Sequence, residues 1–235
     1  MPLISAHRGA CGVEGIGAAE RYRRAIELGV DYVEFDVRRS LDGVMVVCHD
    51  ACTVSGRPIS KYAYADLTEE LGAGAMTLDE LLDVAAGHVG LHLDLKEAGY
   101  EALVVDTVLA RCPLDRLVIT SEDAAVRAIK EQFPKVSAGL SLGEDLAGAS
   151  PWVRFRVRLG ELFPRRRVQA CHADFVAVHW RLAELSVLRY CARAGIPAWV
   201  WTVDDQREMA RFMADSRVTT LITDHPEIAL RLRSD

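Results

Sequence analysis

The chain has 235 residues, 50% of them hydrophobic and 26% charged, with 34 acidic against 28 basic side chains and a formal charge of -6. This supports one large core, so a single domain over residues 1–235 is expected, and the acidic balance offers no overall field for nucleic acid. No apolar run approaches the roughly 20 residues of a membrane span, the stretch before His7 is too short for a secretory signal, and six cysteines without paired spacing read as reduced thiols of a cytoplasmic protein.

In chain order, apolar runs of strand length stand at residues 3–6, 32–37, 44–48, 89–95, 117–120, 138–142, 175–178, 198–203 and 220–223. Their apolarity is continuous rather than alternating, as in parallel sheets covered on both faces. Helical patterns lie between most of them: 18–28 closed by Gly29, a capping box at Thr77-Leu78-Asp79-Glu80, then 100–111, 123–132, 182–194 and 205–214. Regular strand–helix alternation without a linker predicts an α/β fold, the (β/α)8 TIM barrel, with a doubly wound open sheet as the competing architecture. Nine runs are one too many for such a barrel; 44–48 follows 32–37 through Leu41-Asp42-Gly43 with no helix between.

Polar residues cluster where these runs end. His7 ends the first, His49 and Asp50 the third, and Glu34 and Asp36 lie two apart within the second. The two-residue strand period turns both carboxylates to one side, and likewise Asp94 and Lys96. Buried carboxylates need a compensating cation or proton. An all-oxygen set of Glu34, Asp36 and Asp94 suits a hard ion such as Mg²⁺ or Ca²⁺ better than zinc. A metal flanked by two imidazoles and an arginine fits phosphoryl transfer, in which cations offset phosphate charge while the imidazoles move protons.

His7-Arg8-Gly9, Glu34-Phe35-Asp36 and His49-Asp50, followed by Trp201-Thr202-Val203-Asp204 and Thr223-Asp224-His225-Pro226, occur in an order and spacing that resembles the glycerophosphodiester phosphodiesterase family along essentially the whole chain. The resemblance implies metal ligation by Glu34, Asp36 and Asp94, phosphate binding by Arg8 and Lys96, and an acid/base pair of His7 and His49. Asp94 stands where most relatives carry Glu; the related spider sphingomyelinase D toxins use Asp there.

Two departures bear on the substrate. The family's Pro-Glu-Asn-Thr segment is replaced by Gly15-Ile16-Gly17-Ala18, leaving Glu14 as the nearby carboxylate, and the segment between His49 and Thr77 is short, which predicts an open pocket. The expected substrate is a small-molecule or lipid phosphoester, glycerophosphodiester-like or lysophospholipid-like, rather than plain glycerophosphocholine. A lyase giving a cyclic phosphate or acting on a prenyl diphosphate, and a non-catalytic phospholipid-binding barrel, are the alternatives. His179 and Trp201 are expected to line the mouth, with Trp180 either beside them or in the core. Residues 151–159 interleave arginines with bulky apolar residues and Arg165-Arg166-Arg167 follows; this is either peripheral membrane contact or a barrel helix with a solvated basic face. Toxin relatives imply pairing of Cys48 with Cys52, whereas a cytoplasmic protein favours free thiols.

Overall fold

Eight of the nine apolar runs pair in parallel and close on themselves. The computed structural model describes residues 1–10, 12, 16–72, 75–143 and 150–234. The strands are β1 (Leu3–Ala6), β2 (Tyr32–Arg39), β3 (Met45–Val47), β4 (Gly90–Leu95), β5 (Leu117–Ser121), β6 (Ser137–Leu142), β7 (Phe175–His179), β8 (Ala198–Trp201) and β9 (Thr220–Thr223). The sheet runs β1-β9-β8-β7-β6-β5-β4-β2, and a β1–β2 pairing closes it. The ninth run, β3, hangs antiparallel on β2 with Val37 opposite Val47, which explains why no helix precedes it. The fold is thus a (β/α)8 barrel, and the open sheet is excluded by its closure.

The helices are α1 (Ala18–Glu27), α2 (Tyr64–Leu71), α3 (Leu78–Ala85), α4 (Glu101–Leu109), α5 (Asp123–Gln132), α6 (Pro151–Leu162), α7 (Arg165–Cys171), α8 (Trp180–Leu182), α9 (Leu188–Ala194), α10 (Gln206–Ala214) and α11 (Pro226–Ser234). The Thr77 capping box forms in both halves: its side chain accepts the Glu80 N–H, and Glu80 accepts the Thr77 N–H. The helix expected over 182–194 begins earlier and widens into a π-turn, Ala183–Val187, which brings the fully buried Ala183 and Val187 to the core side. Among the described residues no helix is long and apolar enough to cross a membrane.

Strand alternation sorts the side chains into two populations. Ile4, Val33, Phe35, Leu91, Leu93, Ile119, Leu140, Val176, Val200 and Leu221 face outward into the main core under the helices. The inward set is apolar at its base, where Val118, Phe175, Ala177, Trp199 and Ile222 pack together. Trp199 stacks on Phe175 at 4.7 Å and meets Tyr32 at 5.3 Å and His92 at 4.9 Å. Toward the strands' C-terminal ends the same inward positions become polar, and there the cavity opens.

Candidate active site

A cavity of about 810 Å³ occupies the C-terminal mouth of the barrel, and His7, Arg8, Glu34, Asp36, His49, Asp94, Lys96, His179 and Trp201 all line it. Glu34 and Asp36 project inward from β2, and Asp36 pairs in register with Asp94 on β4. One oxygen from each of Glu34, Asp36 and Asp94 lies within 4.8 Å of the others. Lys96 bridges Asp36 at 2.9 Å and Asp94 at 2.5 Å, and Arg8 Nε approaches Asp36 at 3.1 Å. The Arg8 N–H donates to Glu34 Oε2 at 2.9 Å.

The turn after β1 accomplishes this by unusual backbone. Arg8, Gly9 and Ala10 have φ of 49°, 68° and 65°. Such a run is unfavourable for residues with a Cβ, by roughly 1–2 kcal/mol each, and it folds the chain back so that His7 and Arg8 both enter the mouth. His7 Nδ1 is held by Asp224 Oδ1 at 2.6 Å, leaving Nε2 3.9 Å from Glu34. Asp224 is braced in turn, because Asp204 Oδ1 accepts its N–H at 2.9 Å and the Thr223 hydroxyl at 3.1 Å. Opposite, the Cys48 N–H donates to Asp36 O and Arg38 Nε donates to His49 O, which fixes the backbone around His49 beside β2. The His49 ring itself is half-exposed and meets Asp50 Oδ1 at 2.8 Å.

Electrostatics follow from this burial. Desolvation, reinforced by Asp36, pushes the Glu34 carboxyl up to about 7 against the pull of His7. Asp36 is buried too, but Lys96 and Arg8 outweigh the burial and hold it below the usual carboxylate range. Burial disfavours the Lys96 ammonium, yet Asp94 and Asp36 raise its pKa. Three carboxylates therefore share one small volume with Arg8 and Lys96, and Glu34 bears the excess. Their all-oxygen donor set fits a hard divalent cation, which would relieve that excess.

Several lining groups carried no role in the sequence reading. His92, which burial lowers to about 3 and so keeps neutral, contacts Ser5 Oγ and Thr120 Oγ1 at 3.1 Å each, and Thr120 donates to Asp94 at 3.2 Å. Arg158 and Arg181 also line the cavity, while Asp224 stands behind His7; for Asp224 the closing Thr-Asp motif was the available signal. Trp201 meets His179 edge-on at 5.2 Å, and its buried Nε1 has no hydrogen-bond partner among the described residues. Trp180 packs against the core and does not line the cavity. Glu14 lies outside the described residues. Cys48, Cys52, Cys112, Cys171 and Cys191 are free thiols, so Cys48 and Cys52 are not paired.

A barrel that concentrates acids, cations and imidazoles at its mouth falls in the class that handles phosphate esters. Residues 7–130 match the glycerophosphoryl diester phosphodiesterase family, and the chain belongs to that family, whose enzyme class is phosphoric diester hydrolase. It is 26% identical over 251 residues to the glycerophosphodiester phosphodiesterase of Caldanaerobacter subterraneus subsp. tengcongensis, covering 98% of this chain and 97% of the relative. A glycerophosphodiester phosphodiesterase structure from Parabacteroides distasonis superposes with a TM-score of 0.80 at 25% identity, covering 99% of this chain and 97% of the other. An Oleispira antarctica phosphodiesterase, solved with the product sn-glycerol-3-phosphate, shares the fold with a TM-score of 0.80 at 21% identity, covering 100% and 98%.

Proposed function

We propose that the protein is a metal-dependent phosphodiesterase cleaving a glycerophosphodiester-like or lysophospholipid-like substrate by histidine acid/base chemistry. The observation that carries this reading is the placement of His7 Nε2 3.9 Å from Glu34 in the cavity that also receives His49 and the acidic trio. Glu34, Asp36 and Asp94 would hold Mg²⁺ or Ca²⁺, which when bound offsets phosphate charge. Arg8 and Lys96, at the edge of the trio, bind phosphate oxygens. Asp224 fixes His7 so that Nε2 faces the reacting ester, and His49 serves the second proton. One imidazole accepts a proton from the attacking water or substrate hydroxyl; the other gives one to the leaving alkoxide.

His179 and Trp201 stand on β7 and β8, across the ring from β2 and β4, and so contact the alcohol portion of the substrate. The activities of the relatives support a glycerol phosphodiester. The test is turnover of a soluble phosphodiester panel with Mg²⁺, with Ca²⁺ and with chelator, run beside His7→Ala and His49→Ala. Each substitution is expected to lower kcat by roughly 10²–10⁴-fold, and chelator to abolish turnover. Activity indifferent to chelator and to both substitutions would overturn the mechanism. Phosphorus NMR reads whether the product is the monoester or a cyclic phosphate.

A further inference from the structure

Helix α6 is built inside out. Its one buried residue is Glu161, 0% exposed, which accepts the Gly143 N–H at 2.8 Å and pairs with Arg158 at 2.6 Å. Its large apolar residues are outside: Trp152 is 70% exposed and Phe155 58%, and Phe163, just past the end, is 67% exposed. At about 100° per residue, positions 152, 155, 159 and 163 share one face, and Glu161 lies on the opposite one. The apolar stripe therefore points away from the barrel, beside the exposed Arg154 and Arg156. The Trp152 and Phe155 rings stack at 6.0 Å and 26°, forming an aromatic platform in the open.

Charge identifies what this face meets. Residues 151–171 contain six arginines and one glutamate in a chain of net charge -6, and Arg154, Arg156, Arg165 and Arg166 are exposed around the stripe. A two-fold contact with a second copy would set this arginine cluster against itself. An anionic lipid surface complements both the charge and the aromatic content. The helix also adjoins the catalytic cavity, because its Arg158 lines it, as does Gly143, whose N–H Glu161 accepts. We propose that α6 is an interfacial helix that seats the barrel mouth on an anionic lipid bilayer, with Trp152, Phe155, Leu159 and Phe163 entering the headgroup region and the arginines pairing lipid phosphates. That this delivers a lipid phosphodiester to the site rests on the phosphodiesterase reading; the surface binding does not.

The experiment is co-sedimentation of the intact protein with phosphatidylcholine vesicles and with mixed phosphatidylcholine–phosphatidylglycerol vesicles, in chelator so that no turnover intervenes. Binding to the mixed vesicles, weakening as salt rises, is expected. Trp152→Ser/Phe155→Ser should weaken it by roughly tenfold or more, and Arg154→Glu/Arg156→Glu should remove the anionic preference, with far-UV circular dichroism confirming that both variants fold. Neither pair lines the cavity, so turnover of a soluble diester should be unchanged. Absence of vesicle binding at low salt, or equal binding by the aromatic variant, overturns the proposal. A dimer in sedimentation equilibrium that the aromatic variant converts to monomer, without vesicle binding, would give the face to a second copy and overturn it as well. Vesicle binding without diester turnover would instead retain this proposal and sink the phosphodiesterase reading.

Discussion

At the residue scale, two residues decide whether His7 and Arg8 face the chemistry. Gly9 follows them directly at φ 68°, and a Cβ there would lie 2.8 Å from Tyr22 Cδ1 on the fully packed inner face of α1. Gly9→Ala therefore combines left-handed strain with a clash that a buried ring cannot easily yield to. We expect a loss of about 2 kcal/mol in stability, read as a lowered denaturation midpoint, together with a fall in kcat because the turn that aims His7 and Arg8 is displaced. Asp224 acts differently, through orientation alone. Asp224→Asn preserves shape but replaces the charged partner of His7 Nδ1, so kcat should fall by roughly 10–100-fold, as for other carboxylate partners of functional imidazoles, with KM and thermal midpoint nearly unchanged. A KM effect larger than the kcat effect would show that Asp224 contacts substrate rather than positioning the histidine.

At the element scale, what could be read from the chain depended on whether a residue violated its local pattern. Glu34 and Asp36 interrupt an apolar strand and Asp94 another, so these carboxylates stood out in the sequence, and the barrel followed from the alternation of runs. His92 was hidden inside its run, and the Asp224 partnership spans 217 residues of sequence, which no local pattern encodes. The arginines of α6 match a solvated face as well as an interfacial one; the inward Glu161 and the outward Trp152 and Phe155 are what favour the second, and neither is legible without the fold. The excursion after β3 is a further case, since its short sequence carries only a small core of its own, Val46, Ile59 and Leu67, and polar contacts to α2 supplement it. Glu70 on that helix accepts from Ser55 Oγ at 2.5 Å and from Arg57 Nη1 at 2.9 Å. Those bonds, with Ser55 foremost, lower its pKa from 4.5 to about 2. A depressed carboxylate adds stability that is fully present above pH 4.5 and disappears as pH falls through 2. Glu70→Gln should therefore lower the thermal midpoint at pH 7, and the gap from the parent protein should narrow steadily between pH 4.5 and 2. A gap that stays constant over that range would show that the charge is irrelevant to holding the excursion.

At the scale of the whole molecule, the barrel interior is stacked in two functional layers, and β8 samples both with side chains two residues apart. Trp199 lies in the lower layer, enclosed by Phe175, Tyr32 and His92, and is 5% exposed. Room for that layer comes from missing side chains: a Cβ at Gly139 would fall 2.3 Å from Phe175, and one at Gly90 2.5 Å from Tyr32. Trp201 lies in the upper layer and lines the cavity. The layers are joined by the chain of contacts from Trp199 through His92 and Thr120 to Asp94, yet they have separate energetic duties. Trp199→Ala empties a packed interior and should reduce stability by about 3–5 kcal/mol, while the protein that remains folded at low temperature keeps most of its kcat. Trp201→Ala removes a partly exposed ring, so its stability loss should be clearly smaller, but KM for a soluble diester should rise roughly tenfold, equivalent to about 1.4 kcal/mol of lost binding. Denaturant titrations and steady-state kinetics on the two variants make the comparison directly. If Trp199→Ala instead raised KM while Trp201→Ala chiefly lowered stability, the separation of a supporting floor from a reactive mouth would be wrong for this barrel.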